Sequence, residues 1–538
     1  MDTIPASLPR PAAGGARSAE KSAKRNNRRY WWLLNSRLGQ FARKHALIAC
    51  LLAVASLAGR AALLHFIPIP QPGIQDEFSY LLAADTFASG RLTNPRHPLW
   101  AHFEAVHELV RPSYQSKYPP AQGLVLALGQ VVFGHPWFGV WLSVAAMVAA
   151  IYWAGAGWLP PRWALLGGVI ALLKVGVITY WSNSYWGGAV AACAGALVIG
   201  AVPRLRRAPS FHIALILAAG LAVLANSRPV EGALLGLGAL GVLLYYRVSW
   251  HRLWAPLALV LIPTGIWMLY YNYRVTGNPL DTPYSSHHRQ YDISTPFFWD
   301  DKPHPQPPVQ NAHIRDVHRW EYESRDVQMS PMIRLVNVRL LFQLYLGITL
   351  SLITVFAFPF IRWWRLRTGP LLAMSLPMVL MLLTLVWVSP HYAAPAAAAY
   401  YVVGIVVLRR LFHAWPVATQ CLIVFILLNA VWQYKDPTNQ WLYDKRDFIA
   451  ARKSVLEKLE QVPGKKVILV EYAPGSDVNQ EWIYNRADID GSETIWVHEM
   501  GPEKDRELIS YYPDRQFWRL VAYPKTHVVL TRLAAGGD

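Results

Sequence analysis

The sequence predicts a polytopic α-helical membrane protein with about eleven transmembrane helices and a C-terminal extracytoplasmic α/β domain. Three observations predict it. Hydrophobic residues make up 54% of the chain and charged residues 16%, with 24 Trp and 26 Tyr, which suits the aromatic belts of membrane proteins and not an average soluble one. Apolar runs of span length, roughly 17–25 residues, recur from residue 45 to residue 433. Beyond Gln433 the composition turns soluble, and short strand-like runs alternate with helical ones.

Taken in order, residues 1–44 form a basic arm, expected to be cytoplasmic, with ten basic and two acidic residues. This stretch is too long, and the apolar run after it too extended, for a cleavable signal peptide. Spans are predicted near 45–66, 137–157, 163–181, 187–202, 211–226, 230–246, 253–272, 336–361, 371–388, 393–408 and 416–433. The apolar segment 121–134 is expected to lie at the interface, because about 14 helical residues rise only about 21 Å. Every second connection should then face the cytoplasm and carry Lys or Arg. Those connections hold Arg162; Arg204, Arg206 and Arg207; Arg247 and Arg252; Arg362, Arg365 and Arg367; and Arg409 and Arg410, with no acid among them.

Together with the N-terminal arm, these arginines carry slightly more than the whole formal charge of +18, and the rest of the chain is balanced to within one charge. The basic balance therefore reports orientation and anionic lipid contact, not nucleic-acid binding. The expected location is the cytoplasmic (inner) membrane, with the N-terminus inside and the terminal domain periplasmic or otherwise extracytoplasmic. Cys50, Cys193 and Cys421 all fall in apolar segments, so no disulfide framework is indicated.

Carboxylates are scarce. Between Val110 and Leu280 there is one acid, Glu231, and between Val327 and Lys435 there is none. Asp76-Glu77, just past the first span, is therefore a candidate catalytic pair, although a helix N-terminus also favours acids. The same expected outer side carries Lys117-Tyr118-Pro119-Pro120, Asn183-Ser184-Tyr185-Trp186, Arg228 to Glu231 and His391-Tyr392. Arg228 and Glu231 stand at i, i+3 and could simply pair with each other. Lys117 could be an interfacial lysine reaching headgroups. Arg60 and Lys174 lie within spans, where snorkelling or a water-filled cavity would explain them.

Several of these motifs together resemble the GT-C glycosyltransferases, in particular the protein O-mannosyltransferase and lipid A aminoarabinose transferase group. They are Asp76-Glu77 followed by Tyr80, a small-residue helix and Gly90; the Lys-x-Pro-Pro element at Lys117; and His391-Tyr392-x-x-Pro395, where the family has Arg-Tyr-x-x-Pro. The chain also has Asn183-Ser184-Tyr185-Trp186 where the family often has an acid. The resemblance implies transfer of a sugar from a polyprenyl-phosphate donor to a lipid, glycan or protein acceptor, with membrane lipids as surroundings. It implies Asp76 as base, with Glu77 as an alternative nucleophile. Lys117, then Arg228, and behind them Arg60 and Arg339, would stabilise the leaving phosphate. Tyr80, Tyr118, Glu231, His391 and Tyr392 complete the expected substrate site. A single base implies inversion at the anomeric carbon. A transporter or flippase of a lipid-linked substrate, a glycan polymerase or ligase, and a non-catalytic envelope scaffold are the competing classes.

The external loop 273–335 is long for a connection without its own fold, which predicts a lid. Its His287, His288, His304, His313, His318, Asp300 and Asp301 could hold a divalent cation, but their spacing matches no specific ligand pattern. No other cofactor is indicated. A short amphipathic helix is expected over 317–327. In the terminal domain, 434–538, helices are predicted over 444–461, 481–485 and 502–511, and strands over 465–472, 494–497 and 517–522, forming a parallel layer. No glycine-rich nucleotide motif follows the first strand. Asp488 and Asp490 are turn residues or part of an acceptor surface, and the domain is expected to cap the outer face.

Overall fold

The computed structural model describes residues 43–293, 295–299, 309–362, 368–432 and 446–533. The basic arm, Arg365, Arg367, the segment with His304 and Asp301, and the junction after Gln433 lie outside the described residues.

Among the described residues sixteen α-helices precede that junction: α1 His45–Ala62, α2 Gln75–Ala88, α3 Pro120–Phe133, α4 Trp137–Trp158, α5 Pro161–Val175, α6 Ala189–Arg207, α7 Phe211–Ala225, α8 Pro229–Tyr245, α9 Trp254–Thr276, α10 Pro283–Tyr291, α11 Ala312–Glu323, α12 Arg325–Met329, α13 Pro331–Ala357, α14 Gly369–Leu382, α15 Ala397–Ala414 and α16 Pro416–Val431. Among the described residues six helical segments are long and apolar enough to cross a membrane: α1, α4, α6, α9, α13 continued to Phe360, and α15 with the 3-10 turn from Pro390. Helices α3, α7, α8, α14 and α16 are shorter apolar helices.

Two predicted spans differ in detail. The span expected over 163–181 leaves its helix at Val175. There Ser182, Asn183 and Ser184 turn their side chains onto the carbonyls of Val177, Thr179 and Tyr180, the local bonding by which such residues compete with helix. The span expected over 336–361 is broken at Gly347, whose φ of 73° and ψ of 164° are non-helical. The Ser351 hydroxyl reaches back across the break to Phe342 O at 3.0 Å, satisfying a carbonyl near the interruption.

The core of the helical part is made where α4, α6 and α15 meet. A Cβ at Gly195 would collide with the carbonyl of Pro395. Only glycine lets α6 lie against the turn Pro390–Ala396, which carries His391 and Tyr392.

Between α1 and α3 the chain builds α2 and three short antiparallel strands, β1 Asn94–Pro95, β2 Glu108–Leu109 and β3 Ser113–Ser116, in the order β1-β3-β2. The loop 273–335 is not an irregular lid over its described residues. It folds into α10, α11 and α12, because Ile314 and Val317 of α11 and Tyr291 of α10 share a small buried cluster with Val106.

The C-terminal domain contains α17 Arg446–Glu460, β4 Lys466–Tyr472, β5 Thr494–His498, α18 Pro502–Tyr511, β6 Gln516–Ala522 and β7 Val528–Arg532. Its sheet order is β5-β4-β6-β7, parallel except for β7. Ile468 and Val470 face α17, while Val467 and Leu469 face α18, so β4 is buried on both faces. The segment predicted as a helix over 481–485 is not one. Asn485 instead bonds Trp496 N and O at 2.8 and 2.7 Å, so its side chain covers part of the β5 edge. The antiparallel β7 was not foreseen.

Candidate active site

The site is assembled at one end of the helical part from segments far apart in sequence. Asp76 and Glu77 occupy the first turn of α2, which has no side-chain N-cap, so their charges meet the favourable end of the helix dipole. The two neighbours diverge from there. Glu77 is buried and accepts from Gly73 N at 2.8 Å and Tyr185 N at 3.0 Å, so both oxygens are committed to backbone. Burial pushes its pKa up to about 7. Asp76 keeps part of its surface open and accepts from the Tyr118 hydroxyl. Burial raises its pKa, while that hydroxyl, Lys117 and Arg228 pull the other way.

Tyr118 is delivered by β3 and the Lys-x-Pro-Pro segment, which opens α3 with proline at its start. Tyr118 N donates to Ser116 Oγ at 3.1 Å, and Ser116 Oγ meets Ser79 Oγ of α2 at 2.7 Å. These bonds fix the strand against the helix that carries Asp76. The Tyr118 ring stacks on Tyr80 with centroids 4.6 Å apart.

Two cations face this cluster. Lys117 is buried, with Nζ 5.5 Å from the Tyr118 ring centre and 5.3 Å from that of Tyr284 on α10. Arg228 precedes α8, lies 4.4 Å over the Tyr392 ring and stands 3.7 Å from Glu231. The ion pair foreseen from spacing is present, yet a quarter of the Arg228 side chain (23%) stays exposed. A cleft lined by Tyr80, Pro119, Gln122, Trp186, Gly187 and Arg228 opens beside them.

Other expected residues lie apart. His391 is buried, 4.5 Å from the Trp186 ring and 3.3 Å from the Tyr180 hydroxyl, a box that leaves it supporting Tyr392. Arg60 binds Ile67 O, Pro68 O and Asn183 Oδ1 at 2.9–3.1 Å and lies over Trp137. It ties α1 to the loops after α1 and α5. Arg339 is exposed on α13. Among the described residues neither arginine contacts Asp76, Lys117 or Arg228.

The loop histidines converge behind Lys117. Asp292 Oδ1 lies 3.5 Å from His287 Nδ1 and from His318 Nδ1, and Oδ2 lies 2.8 Å from His288 Nδ1. His318 also meets Glu321 at 2.9 Å. Burial would raise Asp292, but the histidine bonds hold it well below the carboxylate range. Burial takes His287 down to about 3. Among the described residues no group of three or more His, Cys, Asp or Glu side chains is arranged to hold a metal ion. Sequence reasoning had passed over Tyr284 and Asp292. Asp292 had a signal, an acid close after His287-His288; Tyr284 had none.

No protein-family model and no curated protein matches the chain. Among solved structures it is similar to ArnT from Cupriavidus metallidurans in the apo state, at 15% identity and a TM-score of 0.50, over 90% of this chain and 93% of that one. It is also similar to that ArnT bound to undecaprenyl phosphate, at 14% identity and a TM-score of 0.49, over 92% and 98% of the two chains. The Archaeoglobus fulgidus oligosaccharyltransferase complex with Zn and sulfate gives 11% identity and a TM-score of 0.46, over 88% of this chain and 68% of that one. The likeness to apo ArnT shows the fold alone, a bundle of apolar helices with a C-terminal sheet domain.

Proposed function

We propose that the protein transfers a sugar from a polyprenyl-phosphate donor to a hydroxyl of an envelope lipid, glycan or protein, at the outer face of the cytoplasmic membrane. One observation carries the reading: a single open carboxylate, Asp76, sits on the hydroxyl of Tyr118, whose ring faces Lys117 and stacks on Tyr80, and Tyr80 lines a cleft together with Arg228. That is the set of groups direct displacement at an anomeric carbon requires.

Asp76 takes the proton of the acceptor hydroxyl as its oxygen forms a bond to the anomeric carbon. The bond from that carbon to the phosphate oxygen breaks, and polyprenyl phosphate leaves with one more negative charge than the donor phosphodiester carried. Lys117 and Arg228 stabilise that charge in a site walled by Tyr80, Tyr118, Tyr284 and Tyr392. Glu77 has both oxygens on backbone N–H groups, which favours Asp76 as the only carboxylate acting on substrate and so favours inversion. The arginine-rich connections, all expected on the opposite side from Asp76, support the outward orientation.

The test is sugar transfer by the purified protein from a panel of polyprenyl-phosphate sugars, wild type beside Asp76→Asn. Transfer by the wild type and its loss in the variant, with donor binding retained, is the expected result. Undiminished transfer by Asp76→Asn would remove the base. No transfer from any donor, with translocation of lipid-linked sugar in vesicles, would make the protein a flippase.

A further inference from the structure

Helix α2 carries Asp76 at one end and is gripped along a separate face by the C-terminal domain. Gln75, Phe78, Leu82 and Asp85 stand at i, i+3, i+7 and i+10, one stripe of a helix. All four are buried and all four meet the domain. Gln75 Nε2 donates to Val478 O at 3.2 Å. Phe78 packs with Phe448, Ile468 and Trp482 beneath the Arg452 guanidinium, 4.8 Å from its ring. Leu82 packs with Leu469, Val497 and Leu508 on the other face of the sheet. Asp85 closes the row: it accepts from Ala487 N at 2.8 Å, from Arg486 Nη2 at 3.0 Å and from Gln130 Nε2 of α3 at 3.0 Å.

The remaining surface of α2 belongs to the membrane part. Tyr80, Leu81 and Ala84 join its core, and Ala83 and Phe87 lie so close to α3 that a Cβ at Gly123 would meet both. A helix of 14 residues is marginal by itself in water, so α2 takes its place from what packs on it. The terminal domain supplies the part of that packing made on Phe78 and Leu82.

We infer that the C-terminal domain sets the position of Asp76 through this stripe, and that Asp85 is a positioning residue for it. Asp85 lies about two and a half helical turns along α2 from Asp76 and touches no reacting group. Its three acceptor bonds join α2, α3 and the segment before β5 at one carboxylate, so a shift of the domain becomes a shift of α2 along its axis. The domain is thereby part of the catalytic geometry. The kinetic arm of the test rests on the proposed role of Asp76; the second arm does not.

In the full-length protein, Asp85→Ala should lower kcat by about tenfold or more, as small displacements of a catalytic group do, with the donor KM unchanged. Asp85→Asn keeps an acceptor for Ala487 N and should recover most of the loss. Independently of any activity, a thiol introduced as Asp76→Cys should alkylate at a rate at least severalfold different when Asp85→Ala is added, read by mass spectrometry at position 76. If Asp85→Ala protein does not elute as a folded species, the same two readings are made on Asp85→Asn, where smaller shifts of the same sign are expected. An unchanged alkylation rate together with unchanged kcat in folded protein would overturn the inference. Absence of sugar transfer in the wild type would instead count against the proposed reaction, and the alkylation arm alone would then decide whether Asp85 positions residue 76.

Discussion

The Tyr118 hydroxyl donates to Asp76 Oδ1 while its ring stacks on Tyr80 at 18° between planes. One side chain thus holds the candidate base in place and stabilises its charged form in a buried setting. Tyr118→Phe keeps the stack and removes the bond. A hydrogen bond to a charged group contributes about 1.5–3 kcal/mol, which corresponds to about one to two pH units. The acid limb of kcat/KM should move to higher pH by that amount, because the carboxylate needed as base is reached only above its raised pKa. An unmoved limb would separate Tyr118 from the base.

Lys117 is held between the rings of Tyr118 and Tyr284, with its ammonium aimed by aromatic faces. Lys117→Ala should weaken donor binding by about tenfold to a hundredfold, the range of one charge-assisted bond. Tyr284→Ala should weaken it less. Titration with a polyprenyl-phosphate sugar checks both, and equal affinity in Lys117→Ala would take the lysine out of the site.

Glu77→Gln tests whether the second acid is a nucleophile or a brace. The amide oxygen can still accept one of the two backbone bonds, so turnover should persist while stability drops by about 1–3 kcal/mol for the N–H left unmatched. Isolation of a covalent glycosyl intermediate on Glu77 would reverse this assignment and make the reaction retaining.

The stabilising contribution of three buried acids should fall as pH rises from 5 to 7, against the opposite contribution of buried histidines such as His287, whose lowered pKa adds stability as pH rises towards 6.5. Burial raises Glu77, Glu104 and Glu481 to about 7 from an ordinary 4.5. The folded protein therefore holds protons that the unfolded chain has released. Their stabilising contribution is complete below about 4.5 and is lost as pH passes through 7, at up to about 1.4 kcal/mol per unit for each group. Glu104→Gln should remove one such contribution, so that its melting temperature gains on that of the wild type as pH rises from 5 to 7. A profile as steep as wild type would show that Glu104 is ionised in the fold throughout.

Much of the site was legible because charge is rare in an apolar chain. Asp76-Glu77, Lys117 and Arg228 with Glu231 stand out from composition alone, and their pairing at i, i+3 is a matter of helical pitch. Which of the two adjacent acids meets the Tyr118 hydroxyl and which is taken up by backbone was not legible. Neighbours on a helix point about 100° apart, and only the position of Tyr185 N shows where Glu77 goes. Strand β7 escaped notice for a local reason: the turn before it has Lys525 and Thr526 at φ of 59° and 61°, a conformation usually signalled by Gly or Asn.

What the sequence by itself determined is the class of the molecule: apolar runs of membrane length, arginines on alternate connections, and a soluble α/β tail. These are one-dimensional properties, carried by length, period and charge, and they survive any arrangement of the spans. Tertiary structure alone decided that Gly195 lets Pro395 approach α6, that Tyr284 closes over Lys117, and that Asp85 binds Ala487. Each is a contact between residues far apart in the chain, fixed by close packing of whole elements, and no local pattern of residue types encodes it.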